Sequence, residues 1–383
     1  MRAIYLDHAA TSFPKAPGVA EAVARHLEEA AGNPGRGGHR LTVAASRAVE
    51  SCRLAVARLL GGDPARTLLG PGATFWLNTL LAGLLGPGDR VVVSALEHNA
   101  VMRPLRRLER TRGVTVAVVE GGPGGVPHAR DVAAEVTREP TALVVLTHAS
   151  NVSGALLPVE DIAAAVAPVP LVVDGAQTAG SIPVDFGSMG AAAYVCSGHK
   201  GLLGPSGTGV LLLGETLAGR LEPLVLGGTG SRSDSEEMPV ELPDRLEAGT
   251  PNAAGLAGLA AACRWLAERG VEAVARHELE LVRHLAARLA EVPGVRLHGW
   301  DPAAPRVGTL SFTVEEHDAG ELAARLDREH GLMLRVGLHC APLAHRTLGT
   351  FPSGTLRTGI GPFTTRADVD TLAGAVATLA GGG

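Results

Sequence analysis

From about residue 65 to residue 215, short apolar runs alternate with stretches that have one polar face. The runs Arg90 to Ala95, Val114 to Glu120, Thr141 to Thr147, Pro170 to Asp174, Ala191 to Ser197 and Gly209 to Leu213 are nearly continuous in Val, Leu and Ala. Strands apolar on both faces belong to a largely parallel sheet covered on each side. The segments between them, such as Asn99 to Arg112 and Asp161 to Val166, are long enough for crossover helices. Upstream, Val43, Val49, Cys52, Val56 and Leu59 recur at roughly helical spacing, which predicts an amphipathic helix lying on the sheet.

Between Gly227 and Pro251 this pattern breaks into Gly-Gly-Thr-Gly, a polar run Ser231 to Glu237, and prolines, which predicts a long loop of some function, its centre at 231–243. Beyond it the periodicity predicts one long helix from Gly255 to Leu289. Strands follow near Gly308 to Val314 and Leu332 to Val336, with a helix Asp318 to Glu329 between them, and then a strand Thr355 to Ile360. Thr365-x-x-Asp368 resembles a capping box and opens the last helix. The expected organisation is α/β: a large, mostly parallel-sheet domain over 21–255 and a smaller α+β C-terminal domain over 256–383. An N-terminal segment, 1–20, is expected to pack with the small domain, and a Gly381 to Gly383 tail ends the chain.

With 383 residues, 46% hydrophobic and 19% charged, the chain can bury a large core as a soluble globular protein. Its net charge is −5 and no basic run is interleaved with aromatics, which argues against nucleic acid as a partner. The N-terminus turns polar before any signal-like apolar region develops, and no apolar run is long enough to span a bilayer, so a cytoplasmic protein without membrane contact is expected. Cys52, Cys196, Cys263 and Cys340 include no Cys-x-x-Cys pair, and the fourteen histidines include no His-Glu-x-x-His. Neither a disulfide framework nor a metal site is expected.

Lys15 and Lys200 are the only lysines. Lys200 ends Ser197-Gly198-His199-Lys200, where a hydrophobic strand runs into a glycine-rich turn, and an amine there can form a Schiff base. Ligands of parallel sheets sit at the carboxyl ends of strands. Those ends carry Glu97-His98-Asn99, His148-Ala149-Ser150-Asn151, Asp174-Gly175-Ala176-Gln177 and the Lys200 motif, while Gly70-Pro71-Gly72-Ala73-Thr74 opens a helix whose N-terminus suits phosphate. A lysine, a strand-end carboxylate and a phosphate cradle are what pyridoxal 5'-phosphate requires.

With Tyr5-Leu6-Asp7-His8-Ala9-Ala10-Thr11, Glu247-Ala248-Gly249-Thr250-Pro251-Asn252 and Arg335-Val336-Gly337-Leu338-His339-Cys340, these motifs resemble, in order and over almost the whole chain, the cysteine desulfurases of the class V aminotransferase fold, nearest to their group II members. The resemblance implies the fold type I architecture of pyridoxal phosphate enzymes. It implies Lys200 as Schiff-base lysine and proton carrier, Asp174 as partner of the pyridine nitrogen, and His98 stacked on the ring. Gln177 and Asn151 would address the phenolic oxygen and the substrate. Ala73, Thr74, Ser197 and His199 would surround the phosphate, with Thr250 reaching across from a second subunit in a homodimer with shared sites. Arg357, with Asn151 and Arg335 nearby, would bind the α-carboxylate of L-cysteine or a related sulfur or selenium amino acid. Cys340 would take up the sulfur as a persulfide with His339 as helper, and a sulfur-acceptor protein is a possible partner. Leu338, where many group II members carry a second histidine, and Phe75 depart from the pattern. A C–S β-lyase, a selenocysteine lyase or another class V biosynthetic enzyme shares Lys200 and Asp174, and whether the thiol is needed separates these readings.

Overall fold

The structure is a computed structural model that describes residues 3–35 and 37–381, so Met1, Arg2, Arg36 and the last two glycines of the tail lie outside it. Its strands are β1 (Ile4–Tyr5), β2 (Thr67–Gly70), β3 (Arg90–Ser94), β4 (Thr115–Val119), β5 (Leu143–Thr147), β6 (Leu171–Asp174), β7 (Ala193–Ser197), β8 (Gly209–Leu213), β9 (Val295–His298), β10 (Thr309–Val314), β11 (Leu332–Met333), β12 (Arg335–Gly337) and β13 (Thr355–Gly359).

Seven of these form one sheet in the order β2-β8-β7-β6-β5-β3-β4. Its neighbours from β7 to β4 run parallel, and β8 is antiparallel to both β7 and β2. Successive residues point to opposite faces. Val92, Val144, Val173 and Leu212 therefore join a core with Cys52, Val56 and Leu60 of helix Arg40–Leu60 and with Leu256, Leu259 and Leu266 of helix Ala253–Arg269. Their neighbours Val91, Val145, Val172 and Leu211 join a second core with Trp76, Leu77 and Leu80 of helix Ala73–Leu84 and with Val101 and Leu105 of helix Asn99–Arg112. Helices on both faces explain why the strands read as unbroken apolar runs.

A four-stranded antiparallel sheet, β12-β13-β10-β9, has a third core, in which Phe312 and Leu356 meet Leu281 and Leu285 of helix Val271–Ala290 and Leu372 of helix Arg366–Gly381. Ile4 and Leu6 belong to this core, and β1 pairs in parallel with β11.

Three sequence expectations change. The long helix after Gly255 is two helices, broken at Gly270, whose φ of +81° lies in the left-handed region that favours glycine. Val274, early in the second of the two, still belongs to the core of the large sheet, and Leu281 to the third core, so the passage from one core to the other comes within the second helix. The strands β1, β2 and β9 are additional to the expected set, and the strand expected over Leu332 to Val336 is two, β11 and β12, in different sheets. Val43 is exposed, and the buried positions of its helix near that end are Thr42 and Ala45. The expected capping box is present: Thr365 N–H donates to Asp368 Oδ2 at 2.9 Å and Asp368 N–H to Thr365 Oγ1 at 3.2 Å. Segment 219–252 contains no helix or strand, as its composition predicts.

Candidate active site

The parallel strands end side by side, which brings β5 Thr147 into register with β6 Asp174, one strand from Ser197 at the end of β7. Asp174 is buried, and burial pushes its carboxyl above the usual range against the pull of the Ala176 N–H, 3.0 Å from Oδ1, and of Lys200. Lys200 follows Ser197 by three residues. Burial pushes its amine below the usual lysine range, opposed most by Asp174, with Arg357 lowering it and Cys340 and Asp7 raising it. Among the described residues this amine has no hydrogen-bond partner. Lysine, carboxylate, guanidinium and thiol, drawn from both sheets, thus lie within electrostatic reach of one another.

The helix Ala73–Leu84 begins at Gly72 with no side-chain cap, and the Ala73 N–H donates to Ser197 Oγ at 3.1 Å. Thr74 follows at the exposed first turn, and its carbonyl accepts from Asn78. The cradle depends on Gly209, where a Cβ would overlap the backbone of Gly72. Phe75, which departs from the family pattern, stands edge-on to Trp76 with ring centroids 4.9 Å apart.

His98 caps helix Asn99–Arg112, its Nδ1 accepting from Ala100 N–H at 3.0 Å. Burial, then the charges of Lys200 and Arg357, push its pKa down to about 4, so the ring is neutral. His199 is pushed down to about 4 by burial, Lys200 and Lys15, and bonds Thr11 Oγ1 at 3.1 Å. Its carbonyl accepts from Ser12 Oγ at 3.0 Å and Lys15 Nζ at 3.1 Å, which gives the second lysine a structural place under the Lys200 turn. Gln177 Nε2 donates to the carbonyl of Ala9 at 3.0 Å.

Cys340 is exposed, whereas the other three cysteines are buried. It and His339 both have left-handed backbone, φ +57° and +46°, a conformation side chains avoid unless their surroundings impose it. The imposing contacts are specific: Asn99 N–H donates to the Cys340 carbonyl at 2.8 Å, and Asn151 Nδ2 to the His339 carbonyl at 2.6 Å. The His339 ring turns inward, with Nε2 3.0 Å from Thr355 Oγ1, and burial with the charge of Arg357 pushes its pKa down to about 2. That places the ring in the protein interior.

Arg357, on β13, is buried and donates to the Asn151 carbonyl at 3.0 Å and to Asp7 Oδ1 at 2.8 Å. Arg335 is half exposed and stands 3.8 Å from the other oxygen of Asp7. Thr250 is exposed on the loop 219–252, apart from this cluster. Asp7, Asn99 and Glu97 are contributors to which the sequence reading gave no role, although all three lie in motifs that it singled out.

The Aminotransferase class-V family matches residues 4–372. A probable cysteine desulfurase of Methanothermobacter thermautotrophicus is 34% identical over 99% of the chain and 95% of its own length. The chain belongs to the class V aminotransferases, among their cysteine desulfurases. A second such relative, from Aeropyrum pernix, is 37% identical over 89% of the chain and 86% of its own length. The apo structure of a cysteine desulfurase from Thermococcus onnurineus superposes with a TM-score of 0.93 at 31% identity, covering 99% of this chain and 95% of that one. An Escherichia coli cysteine desulfurase gives 0.85 at 30% identity, covering 98% and 94%.

Class V aminotransferases generally depend on pyridoxal phosphate, and the donor set of this one fits it. The site combines the Lys200 amine, a buried strand-end carboxylate, a helix N-terminus beside a hydroxyl, and the buried Asn151 Oδ1, which has no partner among the described residues. No helix among the described residues is long and apolar enough to cross a membrane.

Proposed function

We propose that this class V enzyme is a pyridoxal phosphate-dependent cysteine desulfurase that converts L-cysteine to L-alanine and retains the sulfur as a persulfide on Cys340. The observation that carries the reading is the electrostatic convergence of Lys200 with Asp174 on one side and with Arg357 and the exposed Cys340 on the other. When bound, the cofactor supplies an electron sink for negative charge at the substrate α-carbon.

The protein's own groups account for the rest. Asp174 would hold a proton at the pyridine nitrogen, and the neutral His98 ring would cover the cofactor ring. Gln177 and Asn151 would address the phenolic oxygen and the substrate, while Ala73, Thr74, Ser197 and His199 would hold the phosphate. Arg357 takes the α-carboxylate through its planar fork, with Arg335 at the rim. Lys200, its pKa lowered by burial, accepts the α-proton and returns a proton later in the cycle. The Cys340 thiolate attacks the substrate sulfur. One S–S bond forms and the C–S bond breaks, and its electron pair remains on the substrate carbon, which is protonated to the methyl group of alanine. His339 acts by holding this segment in place.

Thr250 would complete the phosphate site of a second subunit. Its exposure supports a homodimer, as do the exposed Leu224, Val225, Leu226 and Val240 on the same loop. A sulfur-acceptor protein would then collect the persulfide.

The test is product analysis of the cofactor-saturated protein with L-cysteine and a reductant. Alanine matched by sulfide, lost in Cys340→Ala while the absorbance of lysine-bound cofactor persists, is the expected result. Pyruvate with sulfide would make it a β-lyase. Turnover of selenocysteine alone would make it a selenocysteine lyase. Lys200→Ala should abolish the lysine-bound absorbance.

A further inference from the structure

β2 is an edge strand of the large sheet, bonded on one side to β8 and open on the other. An open edge leaves backbone donors and acceptors that must find partners. Here a buried ion pair stands where a further strand would lie. Arg53, on helix Arg40–Leu60, donates to the Thr67 carbonyl at 2.5 Å and, through both terminal nitrogens, to Glu247 at 2.7 and 3.0 Å. Glu247 Oε1 in turn accepts the Leu69 N–H at 2.7 Å. The two side chains are only 7% and 13% exposed.

The two segments that this carboxylate joins both lead to residues proposed to hold the phosphate. Leu69 directly precedes Gly70-Pro71-Gly72, the turn into the helix that starts at Ala73 and Thr74. Glu247 comes two residues before Gly249, whose N–H donates to the Gly228 carbonyl at 2.8 Å and whose φ is +92°, and three before Thr250. We propose that Glu247, gripped by Arg53, is a positioning residue that sets two phosphate-binding segments at once: the 70–74 turn of its own subunit and Thr250 for the site across the dimer. This rests on the proposed homodimer and cofactor. Moving Glu247 would disturb both active sites from a single chain, although it reaches neither.

Glu247→Gln keeps an oxygen for Leu69 N–H and removes the charge that Arg53 grips. The readouts are dimer mass by light scattering and cofactor retention on dilution, followed by the absorbance of lysine-bound cofactor. The expected result is an intact dimer that releases cofactor about tenfold more readily, the scale of one weakened charge-assisted bond. Mixed dimers then locate the effect. One chain carries Lys200→Ala, so only its partner's site reports, and Glu247→Gln is placed on either chain. The proposal expects weaker retention in both arrangements. Weakening only when the substitution shares a chain with the intact Lys200 overturns the crossing role, and no weakening in either overturns positioning altogether. Should Glu247→Gln fail to fold, Arg53→Lys, which keeps the charge and loses the two-pronged grip, takes its place. A wild-type protein that is monomeric, or that lacks lysine-bound absorbance, overturns the underlying reading, and the same controls reveal it.

Discussion

Arg357 donates to Asp7 Oδ1 at 2.8 Å, so the guanidinium proposed to meet a substrate carboxylate already faces a carboxylate of its own chain. The pair spans nearly the whole sequence and closes the site between the N-terminal segment and β13. Asp7 tempers the positive field at the site and, together with Asn151, aims the guanidinium fork. Substrate must therefore share Arg357 rather than find it free.

Asp7→Asn separates the two effects, since it keeps an acceptor for Arg357 and removes the charge. KM for L-cysteine should fall by roughly threefold, the scale of one partly exposed ion pair. Steady-state kinetics at low and high salt check this, because the gain should shrink as salt screens the guanidinium. A rise in KM would mean that the charge of Asp7 serves to orient Arg357 more than it competes.

His339→Gln tests whether the ring beside Cys340 moves protons or holds the loop. A ring whose pKa lies near 2 stays neutral near neutral pH and is a poor base, and its Nε2 is engaged by Thr355. Rate should fall less than about tenfold, against the 10²–10⁴-fold typical when a general acid or base is lost. The shape of the kcat/KM pH profile should stay as in the wild type. A vanished limb in that profile would restore the catalytic role suggested by the residue's place in the sequence.

Glu97 offers a pH signature in stability. It is fully buried, Ser94 Oγ and Thr147 N–H both donate to its Oε1 at 2.5 and 2.9 Å, and its Oε2 has no partner among the described residues. Burial pushes its pKa up to about 8 from an ordinary 4.5. Between those values the folded chain holds a proton that the unfolded chain has released, so this group's contribution to stability declines as pH rises and levels off above about 8. Glu97→Gln imitates the protonated form. Its melting temperature should match the wild type near about pH 5 and exceed it by several degrees near about pH 8.5. Equal pH slopes in thermal scans of the two proteins would refute the buried-acid assignment.

Much of the site was legible because its residues follow apolar runs. Val144 to Thr147 and Val172 to Asp174 read as buried strands, and a polar residue directly after such a run in a parallel sheet lies at the ligand-binding edge. The edge strand β2 was missed since Thr67–Gly70 is short and pairs antiparallel with a strand more than 140 residues later. The break at Gly270 was missed because Leu266 and Val274 keep the periodicity across it and both serve the core of the large sheet. The inward turn of the His339 ring has no local signal at all, since its partner Thr355 and the charge of Arg357 come from another strand. Sequence adjacency to Cys340 suggests a catalytic helper, whereas the packing of the ring favours a positioning role.

Gly209 gives the sharpest test of the phosphate cradle. It starts β8, in register with Gly70 on one side and Ser197 on the other. Its φ is outside the left-handed region, so alanine fits the backbone, but a Cβ would overlap the N, Cα and C of Gly72. Backbone cannot rotate away as a side chain can, so Gly209→Ala must push Gly72 outward. That movement carries the N-terminus of helix Ala73–Leu84 away from Ser197 Oγ and breaks the 3.1 Å bond to Ala73. Overpacking of this kind costs about 1–3 kcal/mol of stability, which a domain of this size survives, whereas the cradle has no alternative geometry. The variant should melt a few degrees lower, stay folded by circular dichroism, and lose cofactor on gel filtration. Gly374→Ala is the control: nothing lies within 4 Å of its Cβ, and alanine in an exposed helix should raise stability by roughly 0.5–1 kcal/mol without touching cofactor retention. If Gly209→Ala retains cofactor as firmly as that control does, the phosphate is not held at the Gly72 turn.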